Sequence, residues 1–321
     1  MDIVKKKSKY IFSWFYLLFL LVVVSLEVFF ILNKTGFFYK EPSFEVTFFS
    51  DLEAPSYEAS SSAVMESISA TSYFVIDNTS QTIILEKNPQ LPLPPASTTK
   101  LMTVFTALKE YDFNEIVSIS TASALKNDGG GLYPLERVRV KDLAAASLVR
   151  SANDAAYALA DHFSAGYSSF VEEMNNNTKE LNLTSTRFEN PVGYDHPDNI
   201  STAHDLAVLT MRVFKEPAIA EWMSLKNYIV ENEGKTIRHF LFSTNELLGG
   251  EEGVIAGKTG TTPQAKEVLI SIAEINEHQY VLVIMGSEDR YGDTKILLNW
   301  IKENVKWEKV EFPLQINVKS L

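Results

Sequence analysis

A serine and a lysine one helical turn apart are the residues of this sequence best suited to chemistry. Ser97 and Lys100 stand at positions i and i+3 at the start of a predicted helix, which places both side chains on one face. A serine hydroxyl is a weak nucleophile until a base removes its proton, and a lysine is that base when burial or a neighbouring cation lowers its pKa. The positive end of the helix dipole also favours the negative charge that develops during attack on a carbonyl. The pair therefore predicts nucleophilic acyl transfer.

Two further short motifs carry polar side chains that suit the same chemistry. Ser151-Ala-Asn153 lies between two predicted helices, and Lys258-Thr-Gly260 ends a predicted strand. Each of the three patterns also occurs a second time. These second copies are Ser123-Ala-Leu-Lys126, Ser243-Thr-Asn245 and Lys34-Thr-Gly36. Only one set combines S-x-x-K opening a helix, S-x-N between helices and K-T-G on a strand, in that order.

The residues around these motifs sharpen the pattern. They read Leu93-Pro-Pro-Ala-Ser-Thr-Thr-Lys-Leu-Met-Thr103, Ser151-Ala-Asn-Asp-Ala-Ala156, Phe188-Glu-Asn-Pro-Val-Gly193, Ser201-Thr-Ala-His-Asp-Leu206 and Gly257-Lys-Thr-Gly-Thr261. Over roughly residues 72–305 the chain resembles the low-molecular-mass penicillin-binding proteins, the serine-type D-alanyl-D-alanine carboxypeptidases among the penicillin-recognising serine enzymes. The resemblance implies an α+β fold of the β-lactamase/transpeptidase type, with a mostly antiparallel sheet covered by helices.

The resemblance also implies a role for each matching residue. Ser97 would be the acylated nucleophile, Lys100 its base, and Ser151 a relay that passes a proton toward the leaving D-alanine. The implied substrate-binding residues are Asn153 for the substrate amide, Lys258, Thr259 and Gly260 for the terminal carboxylate, and Thr261, whose N–H would join that of Ser97 in an oxyanion hole. Two lysines converging on one pocket would also lower the pKa of Lys100. The resemblance implies no cofactor and no metal.

The expected function is removal of the terminal D-alanine from peptidoglycan stem peptides ending in D-Ala-D-Ala, through an acyl-enzyme on Ser97. β-Lactam antibiotics would then be covalent inhibitors. A D,D-endopeptidase that cuts cross-links carries the same motifs and stays open as an alternative. A silent β-lactam-sensing or wall-binding ectodomain is another, which the intact Ser97, Lys100 and Lys258 disfavour. A β-lactamase needs an E-x-x-L-N carboxylate, and Thr178-Lys-Glu-Leu-Asn182 has threonine in the place of the glutamate.

Hydrophobic periodicity predicts the elements that must position these residues. We expect strands at 72–77, 82–86, 254–259, 268–275 and 280–286. We expect helices from about 97 onward and at 141–150, 154–163, 168–181, 202–214 and 294–305, with 112–140 irregular. Two early strands, a helical middle and three late strands predict one mixed sheet covered by helices, in which both ends of the domain meet.

The N-terminus predicts export to a bacterial cell membrane. Four lysines between positions 5 and 9 precede an apolar run from Tyr10 to Leu32. As a helix this run would be about 34 Å long, enough for a hydrocarbon core of roughly 30 Å. Lysines stay in the cytoplasm, so the body would lie outside on a single-pass anchor. No small-residue cleavage site follows closely, which favours an uncleaved anchor over a signal peptide that would release a secreted protein.

These features divide the chain into four parts. We expect cytoplasmic lysines and the membrane anchor at 1–33, an extracytoplasmic spacer at 34–70, a serine D,D-peptidase domain at 71–308 and a C-terminal tail at 309–321. Many family members carry a second β-rich domain after the catalytic one, and we expect none here because only a short segment follows.

Composition excludes several classes of function. The net charge is −12, and residues 1–33 contribute +2, so the remainder carries −14, which argues against binding nucleic acid. The absence of cysteine excludes disulfides, thiolate metal sites and a cysteine nucleophile. The five histidines form no H-E-x-x-H motif.

Overall fold

The computed structural model describes residues 18–32, 34, 53–56, 66–126, 129–250 and 252–309. Contacts divide the chain into two units, Met1–Leu52 and Glu53–Leu321. In the first unit residues 18–32 are helical, and their large apolar side chains are exposed. The predicted anchor extends over 10–32, so its residues 10–17 lie outside the described part of the chain. None of the described helices is both long and apolar enough to cross a membrane.

The strands of the second unit follow in chain order. They are β1 (Glu53–Ser56), β2 (Ser72–Asp77), β3 (Ile83–Lys87), β4 (Ile116–Ser118), β5 (Arg137–Arg139), β6 (Asn227–Glu231), β7 (Arg238–Phe242), β8 (Val254–Thr262), β9 (Lys266–Ile275), β10 (His278–Ser287) and β11 (Lys306–Lys309).

Five of these strands form the central sheet, in the order β3-β2-β10-β9-β8. The two early strands join the three late ones, as the sequence predicted, but every neighbouring pair is antiparallel, so the sheet is not mixed. The physical reason is the short connections: β9 and β10 are joined through Asn276 and Glu277, which both have positive φ, as in a two-residue hairpin turn. The arrangement leaves β8, which carries the K-T-G motif, at the edge of the sheet.

The helices cover this sheet. They are α1 (Lys100–Glu110), α2 (Thr121–Ala124), α3 (Val140–Val149), α4 (Asn153–Asp161), α5 (Tyr167–Glu180), α6 (Ala203–Val213), α7 (Pro217–Ser224) and α8 (Arg290–Asn304). A 3₁₀ turn, Ala96–Thr99, leads into α1. The six predicted helices are confirmed, with ends that differ by at most four residues.

Alternate residues of the sheet pack into two separate hydrophobic cores. On β2, Phe74 and Ile76 belong to the core that also holds the buried residues of α1 and α3–α7, whereas Tyr73 and Val75 belong to the core under α8. Successive strand side chains point to opposite faces, so the middle of a strand buried on both faces is apolar, and every residue of β2 is buried, with Ser72 and Asp77 as its polar ends. The fold is therefore a three-layer α+β structure with α8 on one face and the helical region on the other.

The structure corrects one expectation about the connecting segments and adds elements that were not predicted. Residues 112–140, expected to be irregular, contain β4, α2 and β5, and β4 pairs with β5. The sequence also gave no prediction of α7 or of the β6–β7 hairpin. The two helices have four and eight residues, and the four strands have three to five residues each. Such short segments do not complete enough periods to show a pattern, and pairing with a distant segment stabilises them.

Residues 53–70 of the predicted spacer belong to the second unit. β1 pairs with β11 in an antiparallel two-stranded sheet. Ile68 and Ala70 are buried in the core under α8. Ser69 donates from its backbone N–H and its hydroxyl to the Asp293 carboxylate at 2.9 and 2.8 Å. Ordered packing thus starts before Ser72, the residue near which the sequence predicted that the folded domain begins. Of the predicted tail, 310–321 lie outside the described residues.

Candidate active site

A cavity of about 660 Å³ opens where the edge strand β8 meets the helical region. All three motifs contribute to its wall: Ser97 from the 3₁₀ turn, Ser151 and Asn153 from the junction of α3 and α4, and Thr259–Thr261 from β8. Lys100 and Lys258 lie beneath this wall with 0% and 1% of their surface exposed. The structure therefore brings together every site residue that the sequence singled out.

Ser97 and Lys100 are in direct contact. The Lys100 ammonium nitrogen Nζ is 2.8 Å from Ser97 Oγ and 2.9 Å from the carbonyl oxygen of Val192, and it donates to both. The 3₁₀ turn begins at Ala96, whose φ of +48° is uncommon for a residue with a side chain. A buried amine held at hydrogen-bonding distance from a serine hydroxyl is the geometry that proton transfer from that hydroxyl requires.

Ser151 and Lys258 form a second serine–lysine pair across the cavity. Lys258 Nζ donates to Ser151 Oγ at 2.8 Å and to the carbonyl oxygen of Thr259 at 2.9 Å. Ser151 has φ +64°, so the junction between α3 and α4 holds a left-handed residue at the cavity wall. Burial, and then the charge of Arg290, lowers the pKa of Lys258 to about 7. The predicted lowering of the pKa of Lys100 by its neighbour stays a prediction.

Two glycines allow the backbone to close around Ser97. A Cβ atom on Gly260 would lie 2.7 Å from the backbone nitrogen of Ser97, so the glycine of K-T-G lets β8 approach the 3₁₀ turn. Gly193 has φ +88°, and a Cβ there would lie 1.7 Å from the carbonyl oxygen of Ala96. Neither position tolerates a side chain without movement of the backbone at Ala96 and Ser97.

Sequence reasoning missed Arg290, which is the first residue of α8. Its Nη1 donates to the carbonyl oxygen of Gly260 at 3.0 Å and to Thr261 Oγ1 at 2.7 Å, and its side chain lines the cavity. The site therefore holds a second cation beside Lys258. A lone arginine at a helix start belongs to no short motif, and only the packing of α8 against the sheet brings it to β8.

The second copies of the motifs lie in different places. Thr244, the middle residue of the second S-x-N, lines the cavity, and its hydroxyl lies 2.5 Å from that of Thr259. Ser123 is buried and donates to Asp161, away from the cavity wall, so its partner Lys126 forms no pair with it like that of Lys100 with Ser97. Lys34 belongs to the other unit.

The loop between Asn190 and Asp195 forms another part of the wall. Asn190 Oδ1 accepts from the backbone N–H groups of Val192, Gly193 and Tyr194 at 2.7–3.2 Å. Asn153 Nδ2 donates to the hydroxyl of Tyr194 at 3.3 Å. The buried side-chain amide of Asn190 thus holds the loop in place. In this loop the Val192 carbonyl oxygen accepts from Lys100 and the Tyr194 hydroxyl accepts from Asn153. Conformations like this arise from side-chain-to-backbone bonds, which the periodicity of a sequence does not show.

Asp154 fixes the opposite rim of the cavity. Its buried carboxylate accepts from the backbone N–H groups of Leu132 and Ala155 at 3.0 and 2.8 Å. Burial raises its pKa, and further backbone hydrogen bonds from Gly130 and Gly131 oppose that rise. Asp154 therefore holds the glycine-rich loop whose Gly129 lines the cavity. Among the described residues, no group of three or more histidine, aspartate or glutamate side chains could hold a metal ion.

Comparison with known proteins gives one consistent family. The family model for D-alanyl-D-alanine carboxypeptidases matches residues 58–289. D-alanyl-D-alanine carboxypeptidase DacF of Bacillus subtilis is 31% identical over 225 residues, which are 68% of this chain and 57% of that protein. The D-alanyl-D-alanine endopeptidase of Escherichia coli is 30% identical over 257 residues, which are 76% of this chain and 81% of that protein. The chain thus spans less than two thirds of the length of DacF.

Solved structures agree with the sequence relatives. The crystal structure of a Streptomyces DD-transpeptidase superposes with a TM-score of 0.67 at 27% identity and covers 72% of this chain and 96% of its own. The D-alanyl-D-alanine carboxypeptidase of Mycobacterium tuberculosis gives a TM-score of 0.67 at 28% identity and covers 72% and 90%. The α+β fold of these enzymes is the fold of this chain.

The low pKa of Lys258 predicts a pH-dependent stability. The pKa is about 7 in the folded protein and 10.5 for a free side chain. Between these values the unfolded chain binds more protons, so the contribution of Lys258 to stability rises with pH and is least favourable below about pH 7. We expect the free energy of unfolding to gain roughly 2 kcal/mol from Lys258 between pH 7 and 9, and Lys258→Met to lose that gain. Urea unfolding at four pH values measures it.

The exposed Lys215 supplies the control for this measurement. Lys215→Met should keep the pH slope of the parent protein. If Lys258→Met also keeps that slope, Lys258 is charged in the folded protein throughout the range, and the assignment of a low pKa is wrong.

Proposed function

This chain belongs to the D-alanyl-D-alanine carboxypeptidase family of serine peptidases, and from this premise we propose that it hydrolyses the terminal D-Ala-D-Ala bond of peptidoglycan stem peptides. The observation that carries the proposal is the contact of Ser97 Oγ with the buried amine of Lys100, in a cavity that Lys258 and Arg290 also reach. The first pair supplies a nucleophile and base. The two cations supply a site for a terminal carboxylate.

The proposed acylation uses the first pair and ends with release of D-alanine. Ser97 Oγ attacks the carbonyl carbon of the penultimate residue, and the unprotonated amine of Lys100 takes the hydroxyl proton. The N–H groups of Ser97 and Thr261 would stabilise the oxyanion. When the tetrahedral intermediate collapses, the C–N bond breaks and the leaving nitrogen gains a proton through Ser151. A water molecule then cleaves the Ser97 ester, with proton transfer to the same base.

The proposed substrate pose follows from where the charges lie. Lys258, Thr259 and Arg290 would bind the terminal carboxylate, with Arg290 already donating to the Thr261 hydroxyl at 2.7 Å. Asn153, on the other side of Ser97, would bind the peptide amide of the acyl part. A β-lactam carries a carboxylate beside a reactive amide in the same arrangement, so we include β-lactam antibiotics as covalent inhibitors in the proposal.

A D,D-endopeptidase is the second candidate, because a relative of that name is 30% identical to this chain, about as similar as the carboxypeptidases. The chain covers 81% of the Escherichia coli endopeptidase but 57% of DacF. Length alone does not decide, since it also covers 81% of the Mycobacterium tuberculosis carboxypeptidase DacB2. Comparison of kcat/KM for a pentapeptide and for a cross-linked muropeptide dimer separates the two activities. Faster cleavage of the dimer would favour the endopeptidase.

We also propose that residues 10–32 anchor the protein as a single pass in a bacterial cell membrane, with the catalytic domain outside. Two features support the proposal: the four lysines before the apolar run, and the exposed apolar side chains of the helical residues 18–32. A cell-wall substrate lies on the outer side of that membrane, so the orientation that the lysines favour is the one that catalysis needs.

Substitution of the nucleophile tests the mechanism directly. Ser97→Ala should abolish covalent labelling by a fluorescent penicillin, because it removes the hydroxyl that contacts the Lys100 amine. Ser123→Ala removes the serine of the second S-x-x-K and should label normally. Labelling of Ser97→Ala would overturn the mechanism. An unlabelled parent protein would instead support a silent ectodomain.

The carboxylate site predicts a pH-dependent substrate preference. The ratio of kcat/KM for a free-acid peptide to that for its C-terminal amide should fall as pH rises through about 7, where the pKa of Lys258 lies, because kcat/KM reports the free enzyme. A charge-assisted hydrogen bond changes the rate by about 10- to 150-fold, so we expect a fall of about tenfold between pH 6 and 9. The ratio stays above one because the Arg290 guanidinium also lines the cavity. Lys258→Met should give a low ratio that does not change with pH, and a constant ratio in the parent would refute the role of Lys258.

The anchor predicts an intact N-terminus in the membrane. Protein extracted from washed membranes with detergent should give a sequence that begins at or near Met1. A mature chain that begins between residues 25 and 70 would show cleavage, which contradicts the anchor and leaves export intact.

A further inference from the structure

Three tyrosines form a continuous aromatic ledge that leaves the cavity beside Asn153. Tyr194 lines the cavity and is 37% exposed. Its ring centroid is 6.3 Å from that of Tyr157, which in turn is 5.7 Å from Tyr167, with the last two rings within 12° of parallel. Tyr194, Tyr157 and Tyr167, the tyrosine ledge, therefore mark a path about 12 Å long over the helical region.

The tyrosine ledge ends at a second cavity of about 450 Å³, which Tyr167 also lines. The rest of its wall comes from α5 and from the segment that includes Phe188, and it is mostly polar, with the side chains of Glu172, Asn176 and Lys179 among its lining. It holds carboxylate, amide and ammonium groups beside an aromatic ring. Such a wall fits a neutral ligand that carries many hydroxyl and amide groups and has an apolar ring face.

The direction of the ledge agrees with the proposed substrate pose. The proposed pose places the carboxylate end of the substrate at Lys258 and Arg290 and the acyl part along Asn153 and Tyr194, which line the same cavity. The cleaved bond follows the fourth residue of the stem peptide. Four extended residues span roughly 13–14 Å, and Gly193, next to Tyr194, packs directly against the backbone of Ser97. The amino end of the stem peptide thus reaches the far end of the ledge.

We infer that the second cavity binds the saccharide to which the stem peptide is joined, an inference that rests on the proposed function. The amino end of the stem peptide is linked to an N-acetylated sugar, which has hydroxyl and acetamido groups and no charge. Tyr167 stacks one ring face on Tyr157, to which its hydroxyl is also hydrogen-bonded, so it offers its other ring face, and Asn176 and Glu172 offer hydrogen-bonding groups. Lys126 Nζ lies 5.2 Å from the centroid of the Tyr157 ring, and Tyr167 stacks on the same ring. Because Tyr157 already contacts these two side chains, we assign the sugar contacts to Tyr167 and the other residues that line the second cavity.

Binding to the Ser97→Ala variant tests the inference without turnover. Isothermal titration calorimetry compares three probes: the tetrapeptide, the same tetrapeptide carrying the disaccharide of the glycan strand, and the free disaccharide. We expect the disaccharide tetrapeptide to bind about 3- to 10-fold more tightly than the tetrapeptide, the scale of one aromatic contact. Tyr167→Leu, which keeps apolar bulk, and Asn176→Ala should each reduce this difference toward parity.

Tyr133→Ala is the matched control. Tyr133 is an exposed tyrosine, at 58%, whereas Tyr167 is half-buried, and Tyr133 lines neither cavity. It should leave the difference between the two tetrapeptide probes unchanged. An effect of Tyr133→Ala equal to that of Tyr167→Leu would show a general loss of structure, and Asn176→Ala then decides whether the cavity contributes.

The outcomes separate failure of this inference from failure of the proposed function. Equal affinities for the two tetrapeptide probes would overturn the saccharide site and leave the proposed function standing. If neither tetrapeptide binds and the parent protein leaves the pentapeptide intact, the proposed function fails. In that case, binding of the free disaccharide that Tyr167→Leu abolishes would still support a saccharide site, and no binding at all would overturn both.

Discussion

Two lysine side chains without exposed ammonium groups lie beneath one cavity, and the rest of the structure has to make that burial possible. An unpaired buried charge costs several kcal/mol, so each amine needs acceptors fixed in place or a lower pKa. Lys100 has Ser97 and a loop carbonyl as acceptors, and Lys258 has Ser151 and its neighbour's carbonyl. The acceptors are hydroxyls and carbonyls, which hold an amine in place whether or not it is protonated. That is what a general base needs, because it must exchange a proton without losing its position.

The antiparallel sheet explains how distant parts of the sequence supply these groups. Lys100 begins α1 near the start of the domain, and Lys258 lies on β8 far along the chain. β8 stands at the sheet edge, where a side chain faces the helical region without a further strand to cover it. Gly260 then lets that edge approach the 3₁₀ turn to a distance at which any side chain would collide with the backbone of Ser97. The same glycine therefore serves packing and chemistry, and the K-T-G motif is as much a steric requirement as a chemical one.

The sequence predicted the parts of this arrangement that repeat or that belong to short motifs. The long helices and the strands of the central sheet show periodicities of 3.6 and 2 over enough residues to be recognised, and the three motifs occur in one order. The short pairings β4–β5 and β6–β7 were missed, because a distant partner strand and not local composition stabilises them. Arg290 and Thr244 reach the cavity only through the packing of α8 and the chain after β7. Asn190 acts through hydrogen bonds to the backbone, which leave no trace in hydrophobic patterning.

The loop from Asn190 to Asp195 couples the base to the rest of the site. Its Val192 carbonyl oxygen accepts from Lys100, and its Tyr194 hydroxyl accepts from Asn153, the residue proposed to bind the substrate amide. At its far end the carboxylate of Asp195 accepts from the hydroxyl of Thr262, at the end of β8. A shift of this loop therefore alters the position of the Lys100 amine together with the space for the acyl part of the substrate. In the proposed mechanism one loop serves both, so recognition of the acyl part is tied to the alignment of the base, and we expect a substrate that fits Tyr194 poorly to lose catalysis as well as binding.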